Sequence, residues 1–189
     1  MKYFTSDTHF GSQRVRFYSQ RPFKSVKKMD KALIKKWNKQ VNKQDTVYHL
    51  GDFGDYSKVK KLNGKIILVF GNYEVYDMNN KFKNFAQFQK YLLSLGFYKV
   101  INESGSNVVF DNISKDAINL VHKPIDCKPN MFNLFGHIHA YSMVKDFGLN
   151  VGADCHNYTP ISEKTVSLYK NAIENILDNN VFCQKESLK

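Results

Sequence analysis

The sequence predicts an α/β protein. Three observations carry that expectation. Short apolar runs of strand character alternate with segments whose apolar residues recur every three or four positions. The runs end on a restricted set of polar residues: Asp, Asn and His. No internal repeat or Ser/Gly/Pro linker divides the 189 residues, so residues 1–189 read as one domain.

The elements follow in order. Residues 3–6 form a short strand leading into Asp7, and an Arg-rich loop runs from Gly11 to Pro22. Val26, Met29, Leu33, Trp37 and Val41 share one face of a helix, with Ser25 as its N-cap. Residues 46–50 form a strand ending at Gly51-Asp52, and residues 65–70 a continuous apolar strand ending at Gly71-Asn72. Phe85, Phe88, Leu92 and Leu95 mark a second helix stopped by Gly96. Strands are expected at 108–110, 117–121 (ending at His122), 133–135 (ending at Gly136-His137) and 149–151. Val166, Tyr169, Ile173 and Ile176 mark a C-terminal helix.

Composition narrows the function. With 42% hydrophobic and 14% aromatic residues there is ample material for a core, which excludes a disordered tail. No apolar run approaches the roughly 18 residues that cross a bilayer. No signal-peptide core follows Met1, so a soluble protein in the cytoplasm is expected, without a membrane partner. Cys127, Cys155 and Cys183 are odd in number and widely spaced, which argues against a disulfide framework or a zinc ribbon. The net charge of +11 is uneven: residues 1–43 carry twelve Lys or Arg against Asp7 and Asp30, the remainder sixteen against fifteen Asp or Glu. That asymmetry suits a polyanionic partner or substrate, such as nucleic acid, a nucleotide or another phosphate ester. A solvated lysine-rich helix face is the plainer explanation.

Functional groups of α/β sheets gather where strands end and loops open into a crevice. Here Asp7 and His9, Asp52, Asn72, His122, then His137 and His139 all follow apolar strands. In extended chain, residues i and i+2 point the same way, so Asp7-Thr8-His9 presents a carboxylate with an imidazole, and His137-Ile138-His139 two imidazoles. Seven ligands are too many for one tetrahedral ion but suit two ions sharing Asp52. Paired metals about 3.5–4 Å apart are a recurring device for in-line displacement at phosphorus. A mixed N/O set without thiolate favours Mn, Fe, Zn or Ni over Ca or Mg; of these, Mn is the expectation.

The ordered set Asp7-x-His9, Gly51-Asp52, Gly71-Asn72, His122 and Gly136-His137-x-His139 resembles the calcineurin-like metallophosphoesterase family, its small bacterial and phage members in particular. Phe10-Gly11, Arg21-Pro22-Phe23, His122-Lys123-Pro124, Asn150-Val151-Gly152 and Pro160-Ile161-Ser162 are similar too. The resemblance implies two packed β-sheets flanked by helices, an αββα sandwich with a dimetal centre at the strand ends. It implies Asp7, His9, Asp52 and His139 around one metal, and Asp52, Asn72, His122 and His137 around the other. It also implies hydrolysis of a phosphate ester by a metal-activated bridging hydroxide. Catalytic duty is expected of Asp52, Asn72 and His122. One of Arg14, Arg16 and Arg21, with Arg21 foremost, is expected to clamp a phosphoryl oxygen.

The chain departs from the family at two places. The usual histidine of the third motif, Gly-Asn-His, is Tyr73 here, and a His common after Phe-Gly is Ser12. A phenol, of reference pKa ~10 against ~6.5 for imidazole, is a poorer proton donor near neutral pH. Three readings follow. The substrate has a leaving group that needs little protonation, which points to phosphodiesters or activated esters. Another residue serves instead, either Tyr73 itself, His49 or His156. Or catalysis has faded and phosphate ligands are only bound. The competing function is a nucleic-acid-binding protein or nuclease built on the basic N-terminal region. Oligomeric state is left open.

Overall fold

A computed structural model of the chain describes residues 1–102, 106–110, 114–145 and 147–176; Cys183 lies outside them. Among these residues ten strands form two five-stranded sheets. The first sheet contains β1 (Lys2–Thr5), β2 (Thr46–His49), β3 (Lys65–Val69), β4 (Lys99–Ile101) and β10 (Ile161–Ser162), in the order β10-β1-β2-β3-β4. β1 to β4 run parallel, and β10 pairs antiparallel on the edge. The second contains β5 (Ser106–Phe110), β6 (Ser114–Leu120), β7 (Asn133–Phe135), β8 (Val144–Lys145) and β9 (Gly148–Asn150), in the order β5-β6-β7-β9-β8. Its three inner strands, β6, β7 and β9, are parallel. Five helices flank the sheets: α1 (Gln13–Tyr18), α2 (Val26–Gln40), α3 (Asn72–Lys81), α4 (Phe85–Leu95) and α5 (Glu163–Asn175).

Strand alternation builds two cores on either side of the first sheet. Tyr3, Val47, Ile66 and Leu68 face the helices, where they meet Met29, Leu33 and Trp37 of α2 and Phe88 and Leu92 of α4. Phe4, Leu50 and Val69 face the second sheet and meet Ile118, Leu120, Leu134 and Leu149, with Val166 and Ile173 of α5. Each such side chain, fully buried, contributes roughly 1.5–3 kcal/mol against the entropy of ordering it. α5 contacts β1 and β10 of one sheet and β9 of the other, and so clasps the two together.

The helix ends obey local rules. Ser25 accepts from the backbone N–H of Lys28 and caps α2, and Gly96, at φ +118°, stops α4 in the left-handed conformation that favours glycine. α1 and α3 were not expected. α1 lies inside the predicted Arg-rich loop and buries only Val15, and α3 buries only Glu74, so neither has an apolar face to betray it. Ser12 has a local duty: its Oγ accepts from Val15 N–H at 3.1 Å and caps α1.

Parallel strands place their carboxyl ends along one edge. β1, β2 and β3 bring three such ends from the first sheet, and β6, β7 and β9 three from the second. An isolated bridge between Ser6 and Gly152, just beyond β1 and β9, ties the two edges together. The predicted ligands sit on this seam.

Candidate metal centre

Asp7 follows β1, Asp52 follows β2, Asn72 opens α3 directly after β3, His122 follows β6, and His137 and His139 follow β7. Folding brings them into two adjoining groups. Asp7, His9 and His139 form one; Asp52, His122 and His137 form the other, the ligand atoms of each lying within 4.8 Å of one another. Asp52 stands between them: its Oδ2 is 3.5 Å from His9 Nε2 and its Oδ1 3.6 Å from His122 Nε2. Asn72 Oδ1 adjoins the second group, 2.9 Å from His122 Nε2 and 3.0 Å from His137 Nδ1.

The backbone that achieves this is not extended. Nine non-glycine described residues have positive φ, and five are expected ligands: Asp7 (54°), His9 (47°), Asp52 (58°), His137 (71°) and His139 (49°). Such conformations cost about 1–3 kcal/mol each and persist where surrounding structure enforces them, commonly at functional sites. The alternation of extended chain, in which residues i and i+2 point the same way, therefore does not hold in these segments. His139 begins a 3-10 turn, and His137 and His139 serve different groups rather than presenting two imidazoles side by side.

The protons point to cations. His122 Nδ1 lies 2.7 Å from the Leu50 carbonyl oxygen, so the ring proton resides there and Nε2 offers a lone pair to the site. His139 Nδ1 donates to Asp154 Oδ2 at 2.7 Å, which likewise frees its Nε2. Asp7 Oδ1 and both ring nitrogens of His9 are buried without any hydrogen-bond partner. Orphaned buried polar atoms are costly, and a carboxylate oxygen beside an imidazole with no hydrogen-bond partner for either suits a cation. Burial, with Arg21 and His139 adding to it, drives the His9 pKa well below the ordinary value, so the ring is neutral. Burial, opposed by His122 and assisted by Glu74 and Asp7, pushes the Asp52 carboxyl up to about 7. Burial, the largest single influence, lowers His139, but the Asp154 hydrogen bond and the charges of Asp7 and Asp154 together outweigh it and the net shift is upward. The donor set therefore fits two divalent ions, and its mix of imidazole, carboxylate and amide suits first-row transition metals.

Behind the ligands lies a scaffold only partly visible in the sequence. Arg21 is the principal correction. Its guanidinium does not face the open side: it is buried and bidentate on Asp154, with Nε to Oδ1 and Nη2 to Oδ2 both at 2.8 Å. Its remaining donors reach the carbonyls of Thr8 (2.8 Å) and Asp7 (2.6 Å). Arg21 thus braces the first metal loop and, through Asp154, the His139 ring; no N–H is left for a phosphoryl oxygen. Asp154 and Glu74 were not singled out from sequence. Glu74 Oε2 accepts from the N–H of Asp52 (2.7 Å) and Gly71 (2.9 Å), and Oε1 from that of Phe53 (2.9 Å), which stitches the loops after β2 and β3 together. Its place two residues after Asn72 was the available signal. Asn150 Nδ2 donates to the carbonyls of His139 and Ser142 and holds the 3-10 turn. Gly136 is required by proximity: a Cβ there would overlap Ser6 Oγ and Asp7 Oδ2. The other two histidines stand apart from both groups. His49 is buried and bonds Thr8 Oγ1 at 2.9 Å, and His156 bonds the Asn150 carbonyl at 2.7 Å.

His9, Asp52, Asn72, His137 and His139 face a cavity of about 280 Å³, which Arg14, Tyr18 and Tyr73 also line. Tyr73 donates its backbone N–H to Asp52 Oδ1 (3.0 Å), and its ring stands edge-on to His9 with centroids 4.8 Å apart. The ring is 37% exposed, so solvent and substrate can reach it.

Metal binding is expected to appear as stability. Divalent ion at a hundredfold excess over its Kd adds about 2.7 kcal/mol, which for a chain of this size raises Tm by roughly 5–10 °C. The gain should be larger at pH 8 than at pH 5. A carboxyl whose pKa folding has raised burdens the metal-free protein more as pH climbs from its ordinary value towards about 7, and ligands that have shed their protons bind metal better. Thermal melts of chelator-stripped protein with and without MnCl₂ check this; identical melts at both pH values would count against a metal centre.

Residues 2–169 match the family model of the calcineurin-like phosphoesterase superfamily domain. An uncharacterized protein of Methanocaldococcus jannaschii is 31% identical over 178 residues, with 85% of each chain covered. A crystal structure of a protein of unknown function from Aquifex aeolicus superposes with a TM-score of 0.65, covering 89% of this chain and 98% of that one. At 22% identity that similarity shows a shared fold.

Proposed function

The chain belongs to the calcineurin-like phosphoesterase superfamily, and from that premise we propose that it hydrolyses phosphodiesters and activated phosphate esters in preference to ordinary monoesters, using two divalent ions with manganese foremost. The observation that carries the reading is the pair of adjoining ligand groups with Asp52 between them. Bound ions would supply Lewis acidity and an acidified water at that place.

The chain's own residues set the rest. Asp7, His9 and His139 would hold one ion and Asn72, His122 and His137 the other, with Asp52 shared. Asp154 and the Leu50 carbonyl fix the tautomers of His139 and His122, so each ring turns its unprotonated nitrogen towards its own ligand group. Arg14 replaces Arg21 as the arginine suited to grip a non-bridging oxygen, because it lines the cavity.

The diester preference rests on Tyr73. Its ring occupies the cavity wall where the family motif places an imidazole, and a phenol is a weak proton donor to a poor leaving group. General acid catalysis typically contributes about 10²–10⁴-fold. Tyr73→His is therefore expected to raise kcat/KM for an alkyl phosphomonoester by about tenfold or more, and to change little for p-nitrophenyl esters, whose leaving group needs no proton. Steady-state assays on glycerol phosphate and bis-p-nitrophenyl phosphate test it; no gain on the alkyl ester means that a missing acid was not what limited monoesters.

A nucleic-acid substrate has one observation in its favour. A groove of about 720 Å³ beside α2 is lined by Lys27, Lys31, Lys58 and Lys61. Lys58 is paired with Asp30 and Asp55, so part of that charge is already neutralised. This reading bears on how long a substrate the protein holds, and leaves the reaction unchanged.

A further inference from the structure

Beside the metal cavity lies a second, larger one of about 560 Å³, a size within the usual range for small-molecule sites. Tyr18, His137 and His139 line both, so the two cavities adjoin. The character changes from one to the other. The metal end is built of imidazoles and carboxylates. The far end is walled by Tyr18, at the last turn of α1, and Tyr141, at the end of the 3-10 turn begun by His139, with Gln20 and Ile138 between. It carries no acidic, lysine or arginine side chain. Tyr18 is 79% exposed and Tyr141 85%. Neither ring contributes to the two cores; Tyr141 has Lys145 Nζ 6.0 Å from its ring centroid, which engages one face of that ring at most.

From this geometry we infer that the cleft beyond the metal centre is a nucleoside subsite, in which a nucleobase stacks on Tyr18 and Tyr141 while its phosphate lies at the metals. The inference rests on the phosphoesterase reading and names the substrate class within it. Aromatic walls offer a flat π-face to any base, and stacking on them is sequence-tolerant because every base has one. The polar edge of Gln20 supplies both a donor and an acceptor for a base edge. A neutral aromatic pocket coupled to a cationic one matches a molecule that is flat and neutral at one end and anionic at the other. Arg14 lies one helical turn before Tyr18 and lines only the metal cavity, which keeps the phosphate end and the base end distinct.

Calorimetric titration of the manganese-loaded protein with AMP and with inorganic phosphate tests this. AMP is expected to bind at least tenfold more tightly than phosphate. In the double variant Tyr18→Ala, Tyr141→Ala that advantage should vanish, while metal content by elemental analysis and phosphate affinity stay within about twofold. The double variant Tyr18→Phe, Tyr141→Phe should keep the advantage, because stacking needs the ring and not the hydroxyl. Equal affinity for AMP and phosphate in the wild type, or undiminished AMP binding in the alanine variant, overturns the subsite. If AMP binds through the tyrosines but phosphate alone does not bind, the subsite stands and the phosphoesterase reading falls; if neither binds, both fall.

Discussion

Asp52→Asn is expected to lower turnover by about 10³-fold or more without unfolding the protein. The carboxylate lies between the two ligand groups and faces each with one oxygen. A unit charge about 4 Å from a cation contributes about 4 kcal/mol at an effective dielectric of 20, which corresponds to roughly three powers of ten in a rate. The amide keeps the shape and an oxygen able to accept the N–H of Tyr73. It also removes an ionisable group that burial disfavours, so the metal-free variant should melt at or above the wild-type temperature. Bis-p-nitrophenyl phosphate hydrolysis, elemental analysis and a chelated melt give the three readings. Wild-type turnover with two ions still bound would exclude Asp52 as the shared ligand.

Arg21→Ala is expected to act on stability first. The Arg21–Asp154 pair is buried on both sides, and removing one partner strands the other as an uncompensated charge, at a cost of about 3–5 kcal/mol. The carbonyls of Asp7 and Thr8 lose their donors as well. Denaturant melts should show a fall of that order, and metal affinity should drop because His139 loses an oriented Asp154. Arg21→Lys should recover little, since one ammonium cannot reproduce a planar fork serving three acceptor groups. A variant with wild-type stability and a raised KM would return Arg21 to the substrate, where the sequence alone had placed it.

The contrast between Arg21 and Arg14 explains what could be read in advance. Both lie within the stretch after the first motif, and both are equally suited chemically to phosphate. Which one faces the cavity depends on α1, a six-residue helix with a single buried side chain. Hydrophobic periodicity cannot detect so short a helix, so the facing of its residues was undetermined. The ligands were legible for the opposite reason. They follow apolar strands whose own pattern is strong, and in parallel sheets strand ends share an edge. The local shape at those ends was not legible: five ligands adopt left-handed backbone that an i, i+2 argument assumes away.

Asp154 and Glu74 show the same division. Asp154 is a lone acidic residue in the sequence, indistinguishable from a surface charge, and Glu74 is marked only by its place two residues after Asn72. Each becomes intelligible only when Arg21 and His139, or three backbone N–H groups, arrive from elsewhere in the chain.

The sequence by itself determined the α/β class, the strand ends that carry the polar residues, and which of those residues are candidate ligands, because alternation and residue type are local properties. The tertiary structure alone decided how the candidate ligands divide between the two groups, which arginine is a brace and which lines the cavity, and that two tyrosines from distant segments line a cavity adjoining the metal centre. Those are matters of direction and distance between segments far apart in the chain, and no local pattern encodes them.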